Sequence, residues 1–146
     1  ITCLKAVVLV IFKKKNYGQR SICVEFDIHH YDGIFEIRTY GDAEFGTFRD
    51  ILEGLVTHEK WKPGTPFLMN HTELNSATLT NEDMRQIAEL NGQYSAKVGP
   101  SKCALLLPRD LEYGMGRAWE AFVEDKWDAS EALFRSREEA MEWLSS

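Results

Sequence analysis

Cys103-Ala104-Leu105-Leu106-Leu107, closed by Pro108, is the stretch on which the fold is read. Five apolar residues in a row match a strand of the core in length and character. Proline, which has no backbone N–H to give a ladder, ends it. Downstream, a helix from about Asp110 carries Leu111, Met115, Ala118, Trp119, Phe122 and Val123 inward. Ala132-Leu133-Phe134 reads as a last strand, and Ser136 with Glu139 forms a capping box for a final helix packing Ala140, Trp143 and Leu144. Upstream, Thr80 with Asp83 three residues on caps a helix whose inner face is Met84, Ile87, Ala88, Asn91 and Tyr94, stopping near Gly99-Pro100.

Before that helix stand a short buried strand, Pro66 to Met69, and a polar loop from His71 to Leu79. Earlier still, Val24 to Ile28 and Ile34 to Arg38 alternate apolar and polar residues around the turn Tyr31-Asp32-Gly33, which makes a hairpin. Asp42 is expected to cap a helix with Phe45, Phe48, Ile51, Leu52, Leu55 and Val56 at helical spacing, ended by Trp61-Lys62-Pro63-Gly64. The order β-β-α-β-α-β-α-β-α implies an α/β domain. Its mixed, largely parallel sheet of about five strands opens with an antiparallel hairpin and is covered by about four helices.

The chain has 146 residues, enough for one domain with a real core. With 44% hydrophobic and 27% charged residues it has the balance of a globular protein. Net charge is −6, unevenly placed: five of the 17 bases and none of the 23 acids fall in residues 1–23, which leaves the remainder at −11 (12 − 23). So acidic a body excludes a nucleic-acid surface, which needs a clustered positive field. Residues 1–23 read as an accessory segment outside a domain running from 24 to 146. The apolar run Ala6 to Phe12 is too short to span a bilayer, and its basic cluster Lys13-Lys14-Lys15 follows it instead of preceding it as in a secretory signal. A membrane-surface anchor is the alternative for this segment; no integral membrane association is expected. Cys3, Cys23 and Cys103 form no metal or redox pattern and read as free thiols of a reducing, cytoplasmic compartment.

Tyr113-Gly114-Met115-Gly116-Arg117 is the string with most chemical content. Glycines at a helix start allow close backbone approach, the helix amides favour anions, and Arg117 could grip a carboxylate or phosphate. The competing reading gives the glycines to helix–sheet packing and Arg117 to Glu120. Trp119 stands where a dinucleotide fingerprint needs its third glycine, so no such cofactor is expected. Adjacent His29 and His30 point to opposite faces of a strand and cannot share a metal ion. His71, Glu73 and Ser76 lie together in one loop, but without a nucleophile elbow they read as solvated polarity. Cys103 in mid-strand reads as buried and inert. Trp61 and Trp127 flank loops, where either packs or edges a ligand pocket.

The element order and several strings resemble the STAS-like (SpoIIAA-like) family of small bacterial proteins, including the group related to lipid-binding SEC14 domains. The strings are the hairpin through Gly41, Phe67-Leu68-Met69-Asn70, Leu79-Thr80-Asn81-Glu82-Asp83, Cys103 to Leu107, Tyr113 to Arg117, and Phe134 followed by Glu138 to Leu144. The resemblance implies a STAS-like fold and a non-enzymatic binding module. Its anti-sigma-factor antagonists carry a phosphorylated serine in an Asp-Ser context; here Asn75-Ser76 lacks the acid. The expected function is regulatory, or the binding of a protein partner or small molecule, with no cofactor. Recognition is expected at the 72–80 loop and the 110–117 segment, through His71, Ser76, Thr80, Tyr113, Gly114, Gly116 and Arg117. The alternatives are an apolar, lipid-like ligand in a SEC14-like pocket, an enzyme of unrecognised type built around His71 or Arg117, and a homodimer formed through apolar helix edges.

Overall fold

The computed structural model describes residues 25–146. Residues 1–24, with the basic cluster, Cys3 and Cys23 and the expected accessory segment, lie outside the described residues. The elements are β1 (Glu25–Tyr31), β2 (Ile34–Asp42), α1 (Phe45–Val56), β3 (Phe67–Asn75), α2 (Asn81–Val98), β4 (Lys102–Leu106), α3 (Asp110–Val123), β5 (Ser130–Phe134) and α4 (Arg137–Ser145). Strands stand in the sheet in sequence order, β1-β2-β3-β4-β5. The β1–β2 pair is antiparallel and the rest are parallel. This is the mixed five-stranded sheet with four helices that the element order implied.

The hairpin turn is made by Asp32 at φ 47° and Gly33 at φ 82°. Two consecutive positive φ angles are what a two-residue turn between twisted strands requires, and Asp-Gly supplies them. The turn sets the register, with Tyr31 opposite Ile34 and Ile28 opposite Ile37. Alternation then sends Phe35 and Ile37 to one face of the sheet and Ile34 and Glu36 to the other. Helices α1, α2 and α3 cover the first face, where Phe35, Ile37, Ile51, Leu55, Phe67, Val98 and Cys103 are the most deeply buried members of the larger core. Among the described residues, helix α4 alone covers the second face, laying Ala140 and Leu144 on Leu68, Ala104 and Leu106. β4 is thus buried on both faces, the physical reason for its unbroken apolar run.

The structure corrects three boundaries. Asp42 does not cap α1: it accepts a hydrogen bond from Asn75 Nδ2 at 2.8 Å, and the N-cap position is Glu44, whose side chain makes no cap bond. β2 continues past Arg38 to Asp42, and β3 continues past Met69 to Asn75, absorbing half of the expected polar loop. The two extensions pair with each other beyond a register shift between Arg38 and Tyr40, where Tyr40, Gly41 and Asp42 meet Glu73, Leu74 and Asn75. Backbone pairing with β2 makes this polar stretch a strand.

Thr80 caps α2 as expected: its Oγ1 accepts from Asp83 N–H at 3.1 Å, and the Asp83 carboxylate accepts from Thr80 N–H at 2.8 Å. Replacing Thr80 with Ala orphans a helix amide, and we expect a loss of about 1 kcal/mol in urea unfolding. Ser136 Oγ likewise accepts from Glu139 N–H. Among the described residues, no helix is long and apolar enough to cross a membrane.

Candidate functional site

Between the sheet and α1–α3 lies a partly open cavity of about 110 Å³. It follows β3 and β4 from their amino ends to their carboxyl ends and meets β5 at Glu131. Phe67, Cys103 and Glu131 stand side by side at the amino end, Met69 and Leu105 form the next row, and His71 and Leu107 lie beyond them. From Phe67 to His71 the strand climbs about 13 Å at the usual rise per residue. Leu74, near the end of β3, and Ser76 and Leu79, in the segment leading into α2, close the carboxyl end.

The helices complete the lining with Phe48, Ile51, Ile87, Met115 and Trp119 among others, so the wall is predominantly apolar. Gly116 sets the approach of α3. A Cβ there would stand 2.5 Å from Leu107 Cδ1 and 3.3 Å from Leu133 Cδ2, so the missing side chain lets the helix lie close on the sheet.

A few polar groups interrupt the apolar wall. His71 is buried, and burial pulls its imidazole pKa down to about 4, so it is neutral at pH 7. Its Nδ1 lies 2.7 Å from Thr39 Oγ1, which also donates to Asn70 C=O at 3.3 Å. A hydroxyl has one proton; with it on Asn70, Oγ1 accepts from Nδ1–H and Nε2 keeps its lone pair. Ser76 is also buried, and its Oγ has no partner among the described residues. At the amino end, burial raises the Glu131 carboxyl to about 7, against a hydrogen bond from Trp119 Nε1–H at 2.9 Å that favours its charged form. The Trp127 Nε1–H beside it is buried and unpartnered among the described residues.

Glu112 is neutralised where it stands. The Arg109 guanidinium makes two 3.0 Å bonds to it and holds its carboxyl below the usual range. The same guanidinium donates to Thr72 C=O and Leu74 C=O, tying the end of β3 to the start of α3.

Of the seven residues singled out in the sequence, His71, Ser76 and Gly116 meet at this cavity. The others do different work. Thr80 is occupied as a helix cap, Gly114 has open space around its Cα, and the Tyr113 ring packs under Arg135 at 4.4 Å. Arg117 is exposed and pairs with Glu120 at 3.5 Å. Both the 72–80 and 110–117 segments contribute to the lining, as does Trp127. Sequence reasoning missed Glu131, which alternation in β5 places on the cavity face, and Arg109, whose partners are separated from it by more than thirty residues for the two carbonyls. No triad forms: His71 Nδ1 is turned to Thr39, and Glu73 is exposed. Cys103 is a free, buried thiol whose pKa burial pushes well up, the inert state expected. His30 packs on Phe35 at 4.7 Å while His29 stacks on Tyr31 at 5.9 Å, on opposite faces of β1.

A second buried polar cluster lies across the sheet. Glu36 has no solvent-exposed surface. Burial would raise its pKa, but bonds from Arg137 at 2.8 and 3.0 Å, Asn70 at 3.0 Å and Arg38 at 3.2 Å overcome this and hold it at about 2.

With this geometry in hand, the fold can be compared with solved structures. The chain has a SpoIIAA-like α/β fold. It superposes on an uncharacterised protein of the DUF3478 family with a SpoIIAA-like fold, from Shewanella loihica PV-4, with a TM-score of 0.56 and 15% identity over 88% of this chain and 99% of that one. No protein-family model and no curated protein matches the sequence.

Proposed function

We propose that this protein is a non-enzymatic binding module whose ligand is a slender, largely apolar small molecule held in the cavity beneath α1–α3. The observation that carries this reading is the apolar cavity itself, with buried polar atoms left unpartnered at its ends. A filled core would leave no such space, since protein interiors pack with few voids larger than a water molecule. Sites of this kind combine an apolar wall with a few placed polar groups. The carboxyl end of the cavity also lies where α/β sheets commonly receive ligands. Chemistry on the ligand is not part of the reading, because among the described residues Ser76 has no base hydrogen-bonded to it and His71 no orienting carboxylate. A free thiol at Cys103 suits work in the reducing cytoplasm of a bacterium.

The test is a titration of the full chain with n-hexane, a probe without a polar head, followed by amide and methyl NMR shifts. We expect shifts centred on Met69, Leu105, Ile87 and Met115. Ile87→Phe, which puts a ring into the cavity, should weaken hexane binding at least tenfold while the chain stays folded. Shifts scattered over the surface, or unchanged binding in the folded Ile87→Phe variant, would overturn the proposal.

A further inference from the structure

We infer that the cavity selects a neutral, hydroxyl-bearing ligand over a carboxylate, with the hydroxyl seated between Ser76 and His71 at the carboxyl end of β3; this rests on the cavity being a ligand site. Ser76 Oγ is buried, lines the cavity and has no partner among the described residues. A buried hydroxyl without a partner is costly, and a ligand group that satisfies it gains what the empty site lacks. His71 offers the complementary half. In the tautomer that lets Thr39 Oγ1 make both of its bonds, the proton sits on Nδ1 and Nε2 is an acceptor with no partner among the described residues. A hydroxyl can do both jobs at once, donating to Nε2 and accepting from Ser76 Oγ–H.

Charged heads fit poorly. A carboxylate only accepts, so it would set its own lone pairs against that of Nε2. It would also enter without a counter-charge: among the described residues no Lys or Arg lines the cavity, and its acidic lining residues are Glu112 and Glu131. The nearby guanidinium of Arg109 is committed to Glu112 and to two β3 carbonyls. An ammonium head at that end also lacks a counter-charge, since Glu112, the acid there, already belongs to Arg109. Buried charges persist in proteins only when paired.

The test compares 1-hexanol, hexanoate and hexylammonium on the full chain at pH 7.5 by NMR titration, with n-hexane as the headless reference. We expect 1-hexanol to bind at least tenfold tighter than either ion and to shift the His71 and Ser76 signals. In Ser76→Ala, 1-hexanol should weaken about fivefold, the worth of one neutral hydrogen bond, with hexane unchanged. If hexanoate or hexylammonium equals hexanol, or Ser76→Ala moves hexanol and hexane alike, the hydroxyl assignment is wrong while hexane binding keeps the cavity reading. If neither hexane nor hexanol enters, both fall together. The comparison of heads on the unaltered chain stands even where a variant fails to fold.

Discussion

Glu131→Gln should be more stable than the parent chain by about 3 kcal/mol at pH 8, and its stability should depend on pH where the parent's does not. The first expectation follows from the raised carboxyl: a shift from 4.5 to about 7 means the folded chain resists ionisation at that site, at about 1.4 kcal/mol per unit. Between pH 4.5 and 7 the unfolded chain gives up this proton and the folded chain keeps it, so stability falls as pH rises through that window and levels off above it. His71 works in the opposite direction. Its imidazole is displaced from 6.5 to about 4, so the unfolded chain takes up a proton below pH 6.5 that the folded chain refuses, and stability falls as pH drops toward 4. Over the shared range the two slopes have opposite sign and nearly cancel.

Removing one unmasks the other. Glu131→Gln should lose about 1.4 kcal/mol per pH unit on acidification from 6.5. His71→Asn, which retains a donor for Thr39, should lose a similar amount per unit as pH rises from 4.5 toward 7. Urea unfolding at half-unit pH steps measures all three chains. Parallel profiles would show that neither group is held as described.

The second large effect lies on the opposite face of the sheet. Arg137→Ala should destabilise the fold by about 3 kcal/mol, because it leaves the Glu36 carboxylate buried with part of its compensation gone. Arg38 and Asn70 remain, so the loss sits at the low end of what breaking a buried pair entails. Replacing both partners, Glu36→Met with Arg137→Met, should recover most of it, since a well-packed apolar pair removes the stranded charge. Acid should also find this cluster. With the carboxyl held at about 2 against an ordinary 4.5, its contribution is complete above pH 4.5 and is lost as pH falls toward 2. A double variant as unstable as Arg137→Ala in urea unfolding would refute this account.

These effects mark what could be read from the sequence and what could not. Local signals were legible: Asp32-Gly33 as the hairpin turn, Thr80 with Asp83 as a cap, and Cys103 to Leu107 as the buried strand all rest on neighbours within a few residues. Where pairing with a distant strand decides the outcome, the sequence misleads. His71 to Asn75 looks like a loop because it is polar, and it becomes a strand because β2 runs beside it. The same limit applies to the site. His71, Ser76 and Gly116 drew notice through their residue types, but the cavity they share exists only once α3 has been laid against β5, Leu107 and α2. Glu36 and Arg137 lie 101 positions apart, with nothing local to join them.

Strand order adds a consequence for how the chain assembles. Because each strand docks beside the one made just before it, the sheet can grow from its amino-terminal hairpin as synthesis proceeds, without any segment waiting for a distant partner. The exception is Glu36, which belongs to the first hairpin and is clamped by α4, the final described element. Until that helix arrives, no other described element covers that side of the sheet and a carboxylate is short of its guanidinium, so closure of the second face is the latch that completes a nascent domain.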